Sequence, residues 1–244
     1  MPKLKNKQMR SIAMLAGAVI LMGSLAACDK FRSAQTLVAE AKQLQQKGDI
    51  KAAIIQLKNA LQKSPDDPEA RYLLGVIYNE TGDPKSAEKE LRRALSLGMD
   101  PAKVLPVLGN ALLADGQFQH VLDETKQISG KNESVEILIL RGNAYLALGK
   151  SQEAKASFEQ ALKNKPDHPA ALIGLAKHSL TERNIDAAMQ FSEQAVSKNS
   201  QSTDALLFKG DLLRAQGKTG AALAAYDQVL KLQPNNNSAH INKA

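Results

Sequence analysis

From Ala34 onward the chain repeats itself. Leu74-Gly75-x-x-Tyr78 is followed by Gly82-Asp83, Ala87, Leu91 and Ala94-Leu95. Arg141-Gly142-x-x-Tyr145, with Gly149-Lys150, Ala154, Phe158, Ala161-Leu162 and Pro166, has the same spacing. So has Lys209-Gly210-x-x-Leu213, with Gly217-Lys218, Ala222, Tyr226, Val229-Leu230 and Pro234. Leu44, Gly48-Asp49, Ala53, Leu57, Ala60-Leu61 and Pro65 fit the same frame. Laid end to end, the units are 34–67, 68–101, 102–134, 135–168, 169–202 and 203–236, equal in length except the third, which is shorter by one. This period limits the fold more than any composition can. One unit cannot bury its own apolar face, so neighbours must stack and a single core must run along the array.

The residue types agree with helices. Aromatic content is 4% with no Trp, while Ala, Leu, Lys, Gln and Glu, all good helix formers, dominate. The landmarks then have physical roles. Small residues at position eight of each unit (Ala41, Gly75, Gly109, Gly142, Ala176, Gly210) and the alanines Ala53, Ala87, Ala154, Ala188 and Ala222 let two helices approach closely. Leu57, Leu91, Phe158 and Tyr226 fill the space between units. Gly48, Gly82, Gly116, Gly149 and Gly217 lie where a first helix must end in a left-handed turn, and Pro65, Pro166 and Pro234 stop the second helix. Two units depart from the pattern. The fifth has Arg183-Asn184 in place of the glycine, and Asn184 is the residue expected to take positive φ. The third carries Pro106, tolerable only near a first turn, and Val121, Thr125 and Ile128 at its packing positions. It is expected to be irregular and to bend the array.

On these residues the chain from Ala34 onward resembles the tetratricopeptide repeat. The resemblance implies an all-α fold, a right-handed superhelical solenoid of helix-turn-helix units. Asn237 to Ala244 matches only the start of a seventh repeat: either a short helix caps the sixth unit or, the reading favoured from sequence, the repeat continues in a longer product.

The segment from Met1 to Cys28 reads as an address. Lys3 to Arg10 is basic, and the run from Ser11 to Ala27 carries no charge, the pattern of a secretory signal. Leu25-Ala26-Ala27-Cys28 resembles the lipobox of bacterial lipoproteins, implying a cleaved signal peptide over 1–27 and lipid on Cys28, the only cysteine. Residues 28–33 are then a short linker. Several acyl chains together anchor stably. Asp29 resembles an inner-membrane retention signal, so the expected location is a bacterial envelope membrane, facing the periplasm.

Charge and motifs exclude most other chemistry. The formal net charge is +7, but Lys3, Lys5, Lys7 and Arg10 supply four of the 32 basic residues, leaving about +3 against 25 acids. No basic stripe is interleaved with aromatics, so nucleic acid is not an expected partner. Gly210 to Thr219 ends in Gly-Lys-Thr like a phosphate loop, yet six residues separate Gly210 from Gly217 where such a loop needs four. His120, His168, His178 and His240 form no metal-ligand pattern. No G-x-S-x-G is present, and Asp66-Asp67 and Asp123-Glu124 read as turn and surface residues. We expect no catalytic residue, cofactor, metal or small-molecule substrate.

What remains is the concave face, lined in the repeat family by positions two, five, nine and twelve of the first helices. The candidates for a peptide groove are Tyr72, Asn79, Asn110, Asn143, Lys177, Asp211 and Arg214, beside the apolar Val76, Leu113, Ile139, Leu146, Ile173 and Leu207. Asn110 and Asn143 are equivalent, and their amides can hydrogen-bond an extended backbone. The family's carboxylate clamp needs Lys at position five, where this chain has Val38, Tyr72, Pro106, Ile139, Ile173 and Leu207.

The runs Lys51 to Lys63, Gly82 to Ala94, Val104-Leu-Pro-Val-Leu108 and Gln117 to Glu124 resemble the N-terminal part of the PrsT-type repeat lipoproteins of exosortase/PEP-CTERM exopolysaccharide systems. That resemblance implies an interaction scaffold for exopolysaccharide production and export or for surface-protein sorting, whose partners are other envelope proteins. Two alternatives stay open: a pilotin-like lipoprotein for secretin or pilus assembly, and the repeat part of a longer enzyme.

Overall fold

The computed structural model of the chain describes residues 32–128 and 133–243. The leader, Cys28 and Asp29 lie outside them. The described residues form thirteen α-helices and one short 3₁₀ turn, with no strand among them. In order these are α1 Ala34–Gln46, α2 Ile50–Lys63, α3 Pro68–Glu80, α4 Pro84–Ser96, α5 Pro101–Ala114, α6 Phe118–Thr125, α7 Val135–Ala147, α8 Ser151–Asn164, α9 Pro169–Thr181, α10 Ile185–Lys198, α11 Thr203–Ala215, α12 Thr219–Leu232 and α13 Asn237–Lys243. They pack as antiparallel pairs, α1 with α2 through α11 with α12, and α13 rests on α12 and α11.

Most helices start where the sequence provides a cap. Ser33, Asp49, Asp67, Asp83, Asp100, Ser134, Asn184 and Ser202 accept a backbone N–H of the first turn with their side chains, which satisfies one of the donors a helix start leaves open. The first helices end in a common way. Gly48 N–H donates to the Gln45 carbonyl at 3.0 Å and Asp49 N–H to the Leu44 carbonyl at 2.9 Å. This double bond pattern turns the chain through a left-handed residue. It recurs at Gly82, Gly116, Gly149 and Gly217, all with φ between +71° and +79°.

The fifth turn corrects the expectation for Asn184. Arg183 takes the positive φ, +58°, while Asn184 has φ −94° and caps α10 by accepting from Ala187 N–H at 3.0 Å. The reason is register. Arg183 is the residue aligned with the glycines, and the residue after each of them precedes the second helix.

Pro106 is a second correction. Because α5 opens at Pro101, Pro106 sits inside the helix rather than in its first turn. The carbonyl it leaves without a donor, four residues back, belongs to exposed Ala102, where water can replace the lost bond. The irregular second helix follows: α6 is only eight residues long, and the chain tightens into the 3₁₀ turn Lys126–Ile128.

The core is a chain of adjoining clusters. Ala53, Ala87, Val121, Ala154 and Ala188 are buried at the helix crossings, and Leu57, Leu91, Phe158 and Tyr226 are fully buried between them. Each large side chain contributes about 1.5–3 kcal/mol by leaving water. Successive first helices also touch, α3 with α5, α5 with α7, α7 with α9 and α9 with α11. One face of the array is therefore built from first helices.

Candidate functional site

The face made by α5, α7, α9 and α11 encloses a groove of about 610 Å³. Its walls follow from the helical period. Residues three and four apart share a side of a helix, so positions two, five and nine of every first helix form three rows that run across the helices. The middle row is Pro106, Ile139, Ile173 and Leu207; the third row is Asn110, Asn143, Lys177 and Asp211. Glu136, Ala170 and Asp204 make the row at position two, and His168, just before α9, joins them.

Four of the seven residues singled out from sequence, Asn110, Asn143, Lys177 and Asp211, thus line one groove. Asn143 and Lys177 also border a second hollow of about 490 Å³, continued by Leu113, Phe118 and Leu146. The other three lie elsewhere. Tyr72 is half-buried against the core under α4 and α5, with the Lys103 ammonium 4.5 Å from its ring centre. Burial, together with Glu69 and Glu80, raises its phenol above the ordinary value. Asn79 is half-buried near the end of α3, outside either hollow, and Arg214 is exposed at the far end of α11.

Asp211 is held rather than free. Its Oδ1 accepts from the Tyr226 hydroxyl at 2.8 Å and from the Asn242 amide at 2.8 Å, so α12 and α13 both fix the groove's end. Burial, and then the bond to Asp211, push the Tyr226 phenol upward, against the pull of Arg214. His168 is lowered, first by burial and then by Lys165, with Glu136 opposing. Its Nδ1 is buried without a hydrogen-bond partner among the described residues.

The residues missed from sequence are those of the position-two row, Glu136 and Asp204, together with His168. Position two was identified as lining the face, so the two acids were legible; His168 precedes its helix and had no signal beyond its place next to Pro169. No group of three or more metal-ligating side chains occurs among the described residues. Gly217-Lys218 of the phosphate-loop-like run is the turn between α11 and α12.

Comparison with known proteins agrees with this geometry. Three family models, each described as a tetratricopeptide repeat, match residues 44–110, 139–203 and 210–244. The chain is 26% identical over 165 residues to the type IV pilus assembly protein PilF of Pseudomonas aeruginosa, covering 66% of both chains. It is 27% identical over 194 residues to cellulose synthase operon protein C of Xanthomonas axonopodis pv. citri, covering 72% of this chain but only 13% of that protein. The solved structure of Pseudomonas aeruginosa PilF superposes with a TM-score of 0.57 at 22% identity, over 85% of this chain and 95% of that one. The type IV pilus biogenesis factor PilW superposes with a TM-score of 0.61 at 19% identity, over 85% and 97%. At these identities the superpositions speak for the fold alone.

Proposed function

We propose that this chain, which belongs to the tetratricopeptide-repeat proteins, is a lipid-anchored scaffold of a bacterial cell envelope that holds an extended segment of another protein in its groove. The observation that carries the reading is the row structure of the groove. An apolar floor of Ile139, Ile173 and Leu207 lies beside a line of amides, Asn110 and Asn143. Such a surface offers side-chain burial and backbone hydrogen bonds together, which is what an extended peptide needs.

The setting within the envelope rests on three supports: the leader ending in Leu25-Ala26-Ala27-Cys28, the resemblance to PrsT-type lipoproteins, and the relation to cellulose synthase operon protein C. Together they favour assembly of an exopolysaccharide production and export system, or sorting of PEP-CTERM surface proteins. Lipid on Cys28 with Asp29 behind it favours the inner membrane, with the array facing the periplasm. A second reading, assembly of a pilus or secretin, is favoured by the relation to PilF, which extends over 66% of this chain.

A photo-crosslinking residue placed at Asn143 in the native host tests the groove. It is expected to yield a discrete adduct that the same residue at Lys155, on a second helix, does not. Equal adducts from both sites would overturn the reading. In the same strains, secreted polysaccharide and surface pili decide between the two settings: an Ile173→Glu variant should lose the former and keep the latter. Cys28→Ala should abolish labelling by a fatty-acid probe, and unchanged labelling would remove the anchor.

A further inference from the structure

Resting on the peptide-groove reading, we infer that the groove's occupant is a basic segment: an extended chain that buries apolar side chains against the floor and presents two Lys or Arg side chains to one edge. Charge is the reason. In the groove the position-two row carries Glu136 and Asp204, neither of which forms an ion pair among the described residues, while its α5 member, Lys103, is engaged by Glu69 and the Tyr72 ring outside the groove. Asp211 adds a third carboxylate, bound by Tyr226 and Asn242, with Arg214 drawn to the same Tyr226 hydroxyl. Among the lining residues the one Lys or Arg set against these is Lys177, and burial and Lys165 disfavour charge on His168. The groove is thus acidic in a chain whose overall balance is basic. Low-dielectric walls around a concave surface focus such a field outward onto the approaching partner.

The spacing narrows the partner further. Glu136 is on α7 and Asp204 on α11, with Ala170 of α9 between them. Neighbouring packed helices lie about 8–10 Å apart, which puts the two carboxylates roughly 16–20 Å from each other along the row. An extended chain advances about 3.3 Å per residue, so the two basic side chains should be about five or six positions apart. Apolar residues between them face Ile139 and Ile173, and small Ala170 leaves room for the backbone to pass. The amides of Asn110 and Asn143 stand on the other side of the floor, where the segment's own carbonyls and N–H groups run.

Panning a library of random peptides, each long enough to span the row when extended, on the whole chain in detergent tests this directly. The expected winners carry paired Lys or Arg at the stated separation. The double variant Glu136→Lys with Asp204→Lys should weaken their binding on the order of tenfold at low salt and less at high salt, as rim charges do. Glu159→Lys on α8, outside the groove, should leave binding unchanged. Neutral or acidic winners that Ile173→Glu abolishes, or winners indifferent to the double reversal, would overturn the basic-segment inference while leaving the groove intact. Winners that Ile173→Glu does not weaken would overturn the groove itself, and this inference with it.

Discussion

Gly174 has no side chain because the ring of Phe158 stands where a Cβ would be: an added Cβ would lie 2.3 Å from Phe158 Cε1. Gly142 faces the same three ring atoms, with its nearest distance 2.5 Å. One aromatic edge is wedged between two helix backbones, α7 of its own pair and α9 of the next. Alanine is the better helix former by about 1 kcal/mol, so Gly174→Ala should stabilise if space were free. Here overpacking, typically about 1–3 kcal/mol, should win, and the urea midpoint should fall. In a Phe158→Leu background the same substitution should be neutral or stabilising. A midpoint that rises in both backgrounds would show that the ring yields.

That contact marks the boundary of what sequence could tell. The repeat frame located Gly142, because every unit has a small residue there. Gly174 is at a position held by Leu73, Val107, Leu140 and Phe208 in other units, so periodicity gave it no role. Its cause is a large partner in the preceding unit, and pairing across units is visible only in three dimensions. The groove divides likewise: the rows at positions five and nine could be read from spacing, whereas Tyr72 and Asn79 fall outside because the hollow begins only at α5.

Arg183 shows the frame being right where residue preference was wrong. A residue with a Cβ in the left-handed region costs about 1–2 kcal/mol, and glycine loses part of that advantage through unfolded-state entropy. Arg183→Gly should therefore raise stability by about 0.5–1 kcal/mol, read as a higher urea midpoint at unchanged slope. Asn184→Ala should cost about 1 kcal/mol by removing the cap on α10. If Arg183→Gly destabilises instead, the turn is not strained.

Ser192 on α10 is fully buried, and its hydroxyl has no hydrogen-bond partner among the described residues. Equivalent positions hold Leu57, Leu91, Phe158 and Tyr226, and the following unit answers with Phe208 where Gly174 answers Phe158. Small and large have changed places between these two joints. A buried hydroxyl left unpaired costs about 1–3 kcal/mol, and Ser192→Ala removes only the oxygen. The variant should be more stable by about 1 kcal/mol in thermal or urea unfolding. A loss of stability would mean the hydroxyl is paired in solution.

Glu69 ties three successive first helices together. It lies on α3, and its carboxylate meets Lys42 of α1 at 3.0 Å and Lys103 of α5 at 3.4 Å. Burial alone would raise its pKa, but the hydrogen bonds and charges of the two lysines outweigh it and the value falls below the ordinary one. The sign of the linkage follows. A carboxyl group depressed in the folded state stabilises fully above its unfolded pKa, and that contribution is lost as pH falls through the lower, folded value. The pairs are partly exposed, so screening keeps each within about 0.2–1 kcal/mol. Glu69→Gln should thus be less stable than wild type at neutral pH, and the difference should close as pH drops below the ordinary carboxylate range. It should also shrink in high salt. Denaturation midpoints of the two proteins across pH and salt measure this, and a gap that persists in strong acid would mean that Glu69 acts through packing rather than charge.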